Sequence, residues 1–174
     1  MGIQFETDYN METLTAMAKG LRKTVRKKRS RRVHIFAAVV LILGLLTILA
    51  TTAGGEPLGA SGVVTLLALL VLILATVFED RLNAWFARKR LLPGTEHAAA
   101  TFEEDGYVSA TSMSESKFSY AQIVAVAETA RYFVFALSSH HTQAYDKRTI
   151  RGGSVEDFRA FIAEKTGKLV EDIK

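Results

Sequence analysis

A chain of 174 residues is long enough for one ordinary domain, and because it has no cysteine it can form no disulfide, Cys-based zinc site or thiol nucleophile. The net charge of +4 hides an asymmetry: residues 1–90 carry 13 Lys and Arg against 6 Asp and Glu, and residues 91–174 carry 9 against 12. The basic excess flanks long apolar segments, where such residues set topology and meet anionic headgroups, so the charge is no argument for nucleic-acid binding.

Residues 1–32 read as an N-terminal cytoplasmic strand and basic helix. Residues 3–5 suit a short strand. Asp8 or Asn10 then caps a helix through Met11, Leu14, Met17, Leu21 and Val25 into the first apolar run. Its other face is strongly basic, with Arg26, Lys27 and Lys28 as candidate contacts for anionic lipid. The plainer reading, preferred here, is a cytoplasmic extension of the span packed on a neighbouring helix.

Residues 33–53 and 58–78 are the two apolar runs, separated by a short Gly/Pro segment at 54–57. Roughly 20 residues of helix at about 1.5 Å each match a hydrocarbon core of about 30 Å. The motif Ala50-Thr51-Thr52-Ala53-Gly54 mimics a signal cleavage site, but a second full-length run follows at once, so both are read as retained transmembrane helices. Lys and Arg are dense before the first run and after the second, whereas the connecting segment carries only Glu56. By the positive-inside rule, the chain is expected in the inner (cytoplasmic) membrane as a two-span hairpin with both termini in the cytoplasm. The spans hold no ionisable side chain between Ile35 and Ala53 or between Leu58 and Phe78, which argues against a conduit. Gly44 with Ala37, Ala38 and Ala50 offers small residues for close helix approach, in the hairpin or in a homo-oligomer.

Residues 79–94 continue as an interfacial helix and linker. Leu82, Trp85, Phe86 and Leu92 share one side, Trp85 suits the membrane surface, and Pro93-Gly94 ends the segment.

Residues 95–174 change texture. Asp105-Gly106 marks a hairpin turn among short β-like stretches. Strands follow at 123–129, 132–137 and 142–145, the middle one apolar on both faces and so deep in a sheet. Ser154-Val155-Glu156-Asp157 resembles a capping box, opening a helix with Val155, Phe158, Phe161 and Ile162 on one face. The expected class is α+β: a transmembrane hairpin with a small antiparallel β-rich domain closed by a C-terminal helix.

The stretches FSYAQIVAVAETARYFVFAL, AYDKRTI and GGSVEDFRAFIAEKTG resemble the YcxB-like bacterial proteins. Ile123, Val126, Glu128, Thr129, Tyr132 and Phe133 match the family's strand pair. Tyr120 stands where Trp is common, and Asp146 stands where Pro is common before Lys147-Arg148. The resemblance covers about residues 97–167 and implies a pleckstrin-homology-like (PH-like) cytoplasmic domain. It brings no activity with it.

Candidate chemistry is sparse. His140-His141 on a turn lacks further metal ligands nearby, Glu103-Glu104-Asp105 reads as a solvated tip, and the hydroxyl-rich 111–116 stretch has no nucleophile motif. Arg151-Gly152-Gly153 before a helix start, with Lys147 and Arg148, is the best anion cradle, against the plainer reading of an ordinary N-cap loop. The expected function is a membrane-anchored interaction or regulatory module without catalysis or cofactor, contacting anionic headgroups or a membrane protein. The alternatives are an immunity or stress-protection protein whose hairpin pairs with a membrane partner, and an enzyme acting on lipid headgroups.

Overall fold

The computed structural model describes residues 2–55 and 57–173, so the expected loop charge at Glu56 lies outside the described residues. Strand β1 (Ile3–Asp8) is followed by helices α1 (Met11–Lys23), α2 (Lys27–Ala53), α3 (Ala60–Val77) and α4 (Glu79–Lys89), and only then by β2 (His97–Phe102). Yet β1 and β2 pair antiparallel along their whole length, from Ile3 opposite Phe102 to Asp8 opposite His97. The N-terminal strand thus shares a sheet with the C-terminal region, and the helical segment is an excursion between neighbouring strands.

Strands β3 (Tyr107–Thr111) and β4 (Glu115–Phe118) complete an antiparallel sheet ordered β1-β2-β3-β4. A second sheet has the order β7-β6-β5-β8, from β5 (Ala125–Glu128), β6 (Tyr132–Ala136), β7 (Thr142–Asp146) and β8 (Val170–Asp172). Helix α5 (Val155–Thr166) comes between β7 and β8. The α+β class is therefore as expected. Strand β8, which pairs parallel to β5, was not expected. Its apolar signal is short: Val170 reaches the main core and Ile173, just beyond the strand, fills a second cluster.

The main core lies between the sheets and α5. Phe5, Phe102, Phe133, Phe135 and Phe158 are each at most 1% exposed. Their burial contributes about 1.5–3 kcal/mol per side chain. Phe158 is the hub, with ring centroids 4.7 Å from Phe5, 4.8 Å from Phe102 and 5.0 Å from Phe133. Helix α5 presents Phe158 because its start is fixed: the Ser154 side chain accepts from the Asp157 amide at 3.0 Å, and the Asp157 carboxylate accepts from the Ser154 amide at 3.1 Å. The expected capping box forms with Asp in the last position.

Strand β6 is buried throughout because it is covered twice. Phe133 and Phe135 face the main core, whereas Tyr132 and Val134 belong to a second cluster with Ala16 of α1 and Ala144 of β7. Asn10 starts α1 by accepting from the amides of Glu12 and Thr13. The helix then lies so close to the sheet that a Cβ on Gly20 would sit 2.7 Å from Val134 Cγ1. This docking breaks the single helix expected from Met11 into the first run. Helix α1 stops at Lys23, the Thr24 hydroxyl donates back to Gly20 O at 2.8 Å, and α2 begins anew at Lys27.

Helices α2 and α3 are long and apolar enough to cross a membrane. They touch where Leu69 sits against Gly44, whose missing side chain makes the room: a Cβ there would lie 2.8 Å from Leu69 Cδ2. Most of their remaining apolar side chains are exposed, including Phe36, Leu49, Val64 and Val71. The hydroxyls of Thr47, Thr51, Thr65 and Thr76 donate to carbonyls one turn back, so these polar groups are satisfied within their own helices.

Candidate functional site

The base of the helical excursion is held by ion pairs. Arg22 of α1 donates to Asp80 of α4 through Nε at 2.7 Å and Nη2 at 2.6 Å, a bidentate fork that is mostly buried. Its second carboxylate, Glu79, lies 3.8 Å away and also faces His34 Nε2 at 3.6 Å. These contacts pin α1, α2 and α4 together beside Ala84, which is fully buried.

Below this clamp is a cavity of about 570 Å³ between α1, the start of α2, α4 and the β6–β7 turn. Its cationic wall is Arg22, Arg26, Arg29 and Arg90, and Glu79 is the carboxylate among its lining residues. Its apolar wall includes Leu14, Met17, Val33 and Phe86. Arg26 is positioned by Nε, which donates to Ser139 O of the β6–β7 turn at 2.6 Å. Its terminal nitrogens, like the side chains of Arg29 and Arg90, have no hydrogen-bond or carboxylate partner among the described residues. Helix α2 opens here without a side-chain cap or an acid in its first turn, so its positive dipole end adds to the field.

A second cleft of about 550 Å³ adjoins it, sharing Leu14, Met17, Arg90, His140 and His141. Its far wall is hydroxyl-rich. Ser109 pairs with Ala100, Thr111 with Ala98, and Ser116 with Ser109, so these short polar side chains share the inward face of the first sheet. Where the apolar end of that face is filled by Phe102, Tyr107 and Phe118, this end has small side chains and stays open. At the cleft floor, Gln143 Oε1 accepts from the hydroxyls of Tyr107 and Tyr145, both at 2.7 Å. Burial pushes both phenols well above their ordinary range.

The residues expected to hold an anion fall into two groups. Lys147, Arg148 and Arg151 do not face a common space: each faces a different carboxylate. Lys147 Nζ donates to Glu128 at 2.5 Å and to Thr129 O at 2.6 Å. Arg159 completes this cluster with two bonds of 2.7 Å to Glu128, and its guanidinium holds the Glu128 carboxyl below the usual range against the opposing effect of burial, with Lys147 adding to the shift. Arg148 pairs with Asp146 at 3.0 Å, and Arg151 pairs with Glu6 of β1 at 3.4 Å. The amide end of α5 behind the Gly152-Gly153 loop is occupied by Asp157. Asp146 is 5% exposed. It caps the turn at Lys147–Thr149 through the Arg148 amide and binds Arg131 at 2.8 and 2.9 Å.

Of the other group, Arg26 lines the cavity, whereas Lys27 and Lys28 are exposed outside it. Sequence reasoning did not select Arg29 or Arg90 for a site and left His140-His141 as a bare turn. A signal was present: a helical hairpin brings the flank before its first helix beside the flank after its second, so the basic residues at 26–29 and 88–90 are natural neighbours.

The fold and this basic recess define a chain of mixed α+β class with two membrane-competent helices and a cationic cavity at their base. Residues 102–162 match the family model of the YcxB-like proteins, so the segment from the end of β2 into α5 is YcxB-like, as the residue pattern suggested. None of the curated proteins and none of the solved structures compared matches the chain.

Proposed function

We propose that the chain is a membrane-anchored cytoplasmic interaction module that acts by binding rather than by catalysis. In this reading α2 and α3 form a transmembrane hairpin with both termini inside the cell, and the two sheets with α5 form a PH-like unit at the inner leaflet. The observation that carries it is the pairing of β1 with β2 across the whole helical excursion. The anchor is spliced into the sheet and clamped by Arg22–Asp80, so the soluble unit is tied to the membrane surface at a fixed place. The distribution of Lys and Arg around the apolar runs supports the orientation. Cations beside hydroxyls form a set suited to holding anions.

The absence of cysteine makes the test direct. Gly59→Cys sits in open space between α2 and α3, and Lys168→Cys sits between α5 and β8. A membrane-impermeant maleimide is expected to label the first in intact cells and the second only after lysis. Labelling of Lys168→Cys in intact cells would overturn the orientation. A photo-crosslinking residue in place of exposed Leu82 is expected to capture lipid or a discrete membrane protein, and recovery of the chain uncrosslinked would count against a binding role.

A further inference from the structure

The cavity between α1, α2 and α4 sits where both apolar runs end. Val33, which opens the first run, lines it, and so does Glu79, which directly follows Phe78 at the close of the second. A recess at that level of a spanning hairpin faces the phosphates of the inner leaflet. Its cations are unbalanced: Arg22 is engaged with Asp80 and Glu79, while Arg29, Arg90 and the terminal nitrogens of Arg26 have no carboxylate among the described residues. Guanidinium groups around a recess match a phosphodiester, whose two non-bridging oxygens can each accept more than one hydrogen bond. The apolar side, with Val33 and Phe86 about half exposed, gives an attached acyl chain a route back to the bilayer along α2 and α4. Beyond Arg90 the space continues into the cleft whose lining includes Ser109, Thr111, Ser116 and Thr142, which offer hydrogen-bond partners to headgroup hydroxyls.

We propose that this recess is a binding site for an anionic phospholipid with a polyol headgroup. The phosphodiester is held by Arg26, Arg29 and Arg90, and the headgroup hydroxyls reach the Ser/Thr-lined cleft. The proposal rests on the membrane-anchored reading above and names the ligand of that module. The site lies away from Lys147, Arg148 and Arg151, whose charges are answered by Glu128, Asp146 and Glu6.

The test uses the full chain in detergent, with bound lipid counted by native mass spectrometry. Phosphatidylglycerol is expected to bind in preference to phosphatidylcholine. It is also expected to bind in preference to phosphatidylmethanol, which has the same charge but no headgroup hydroxyl. Replacing Arg26, Arg29 and Arg90 together with Ala should weaken phosphatidylglycerol about a hundredfold, at about fivefold per cation. Replacing Lys23, Arg31 and Arg32 removes the same charge from positions outside the recess and should change binding by no more than about threefold. Ser109→Val with Ser116→Val should abolish the preference over phosphatidylmethanol and spare the preference over phosphatidylcholine.

Equal losses in the two triple variants, or equal binding of phosphatidylcholine by the unaltered chain, overturn the site. Inorganic phosphate binding as tightly as phosphatidylglycerol assigns the recess to a free anion and overturns the lipid. The comparison of lipids on the unaltered chain stands even if the triple variant does not fold. Alkaline carbonate extraction separates the two levels. Release of the unaltered chain from membranes defeats the anchored reading itself, and retention without lipid preference defeats only this proposal.

Discussion

Two basic groups in this molecule carry the same formal charge in opposite physical situations. Lys147, Arg148 and Arg151 follow β7 and are each matched by a carboxylate, most completely in the Glu128–Lys147–Arg159 cluster, where Glu128 is 8% exposed. Arg26, Arg29 and Arg90 surround a recess without such matches among the described residues. The first arrangement is the arrangement of a fold that neutralises its own charge. The second leaves positive potential at one place on the surface. Charge counting along the chain cannot separate them, because the partners of Lys147 and Arg151 are 19 residues away in Glu128 and near the other terminus in Glu6.

The contrast breaks most visibly at Glu128. Glu128→Gln leaves two cations facing each other in a mostly buried site, and the expected loss is about 3 kcal/mol of stability in thermal or denaturant unfolding. The pH dependence has a definite sign. The folded-state pKa of Glu128 is depressed by Arg159 and Lys147, so its stabilisation is fully present above the unfolded carboxylate pKa of about 4.3. It is lost as pH falls from there through the lower folded value, and the Gln variant should lose less stability than the unaltered chain over that window.

A smaller effect is expected at the contact that places the recess. Gly20→Leu forces side-chain atoms into Val134 and should cost about 2 kcal/mol, seen as earlier unfolding and as faster amide exchange in α1 than in α5. The Arg22–Asp80 fork comes next. A double-mutant cycle with Ala at each position should give a coupling of about 1 kcal/mol, because the pair is bidentate but still reached by solvent. The smallest change is the sharpest contrast with Glu128: single Ala substitutions at Arg29 or Arg90 should shift stability by less than about 0.5 kcal/mol. A loss as large as that of Glu128→Gln would mean that these arginines also answer a structural charge.

Much of the fold was legible where the determinants are local. The Ser154–Asp157 cap, the turn at Asp105-Gly106 and the three strands around Tyr132 came from residues close in sequence. The double apolar face of β6 correctly announced a strand covered on both sides, but not that α1 is the second cover. That fact, the β1–β2 pairing and the break before Lys27 depend on contacts across the helical excursion. The site was legible only in part for the same reason. Arg26 stood out in a basic run, whereas Arg90 and the Ser109–Ser116 wall join it through α1–α4 packing and the register of the first sheet.

The pairing of β1 with β2 also orders events in time. Strand β1 is synthesised first, and its partner only after both long helices have been made. Closing so long a loop is entropically costly until the helices are settled side by side, when the strand ends are brought near one another. The edge of β1 therefore stays unpaired until the hairpin has formed. The first sheet, to which β1 adds Phe5 as a core residue, is thus completed only once α2 and α3 have packed side by side.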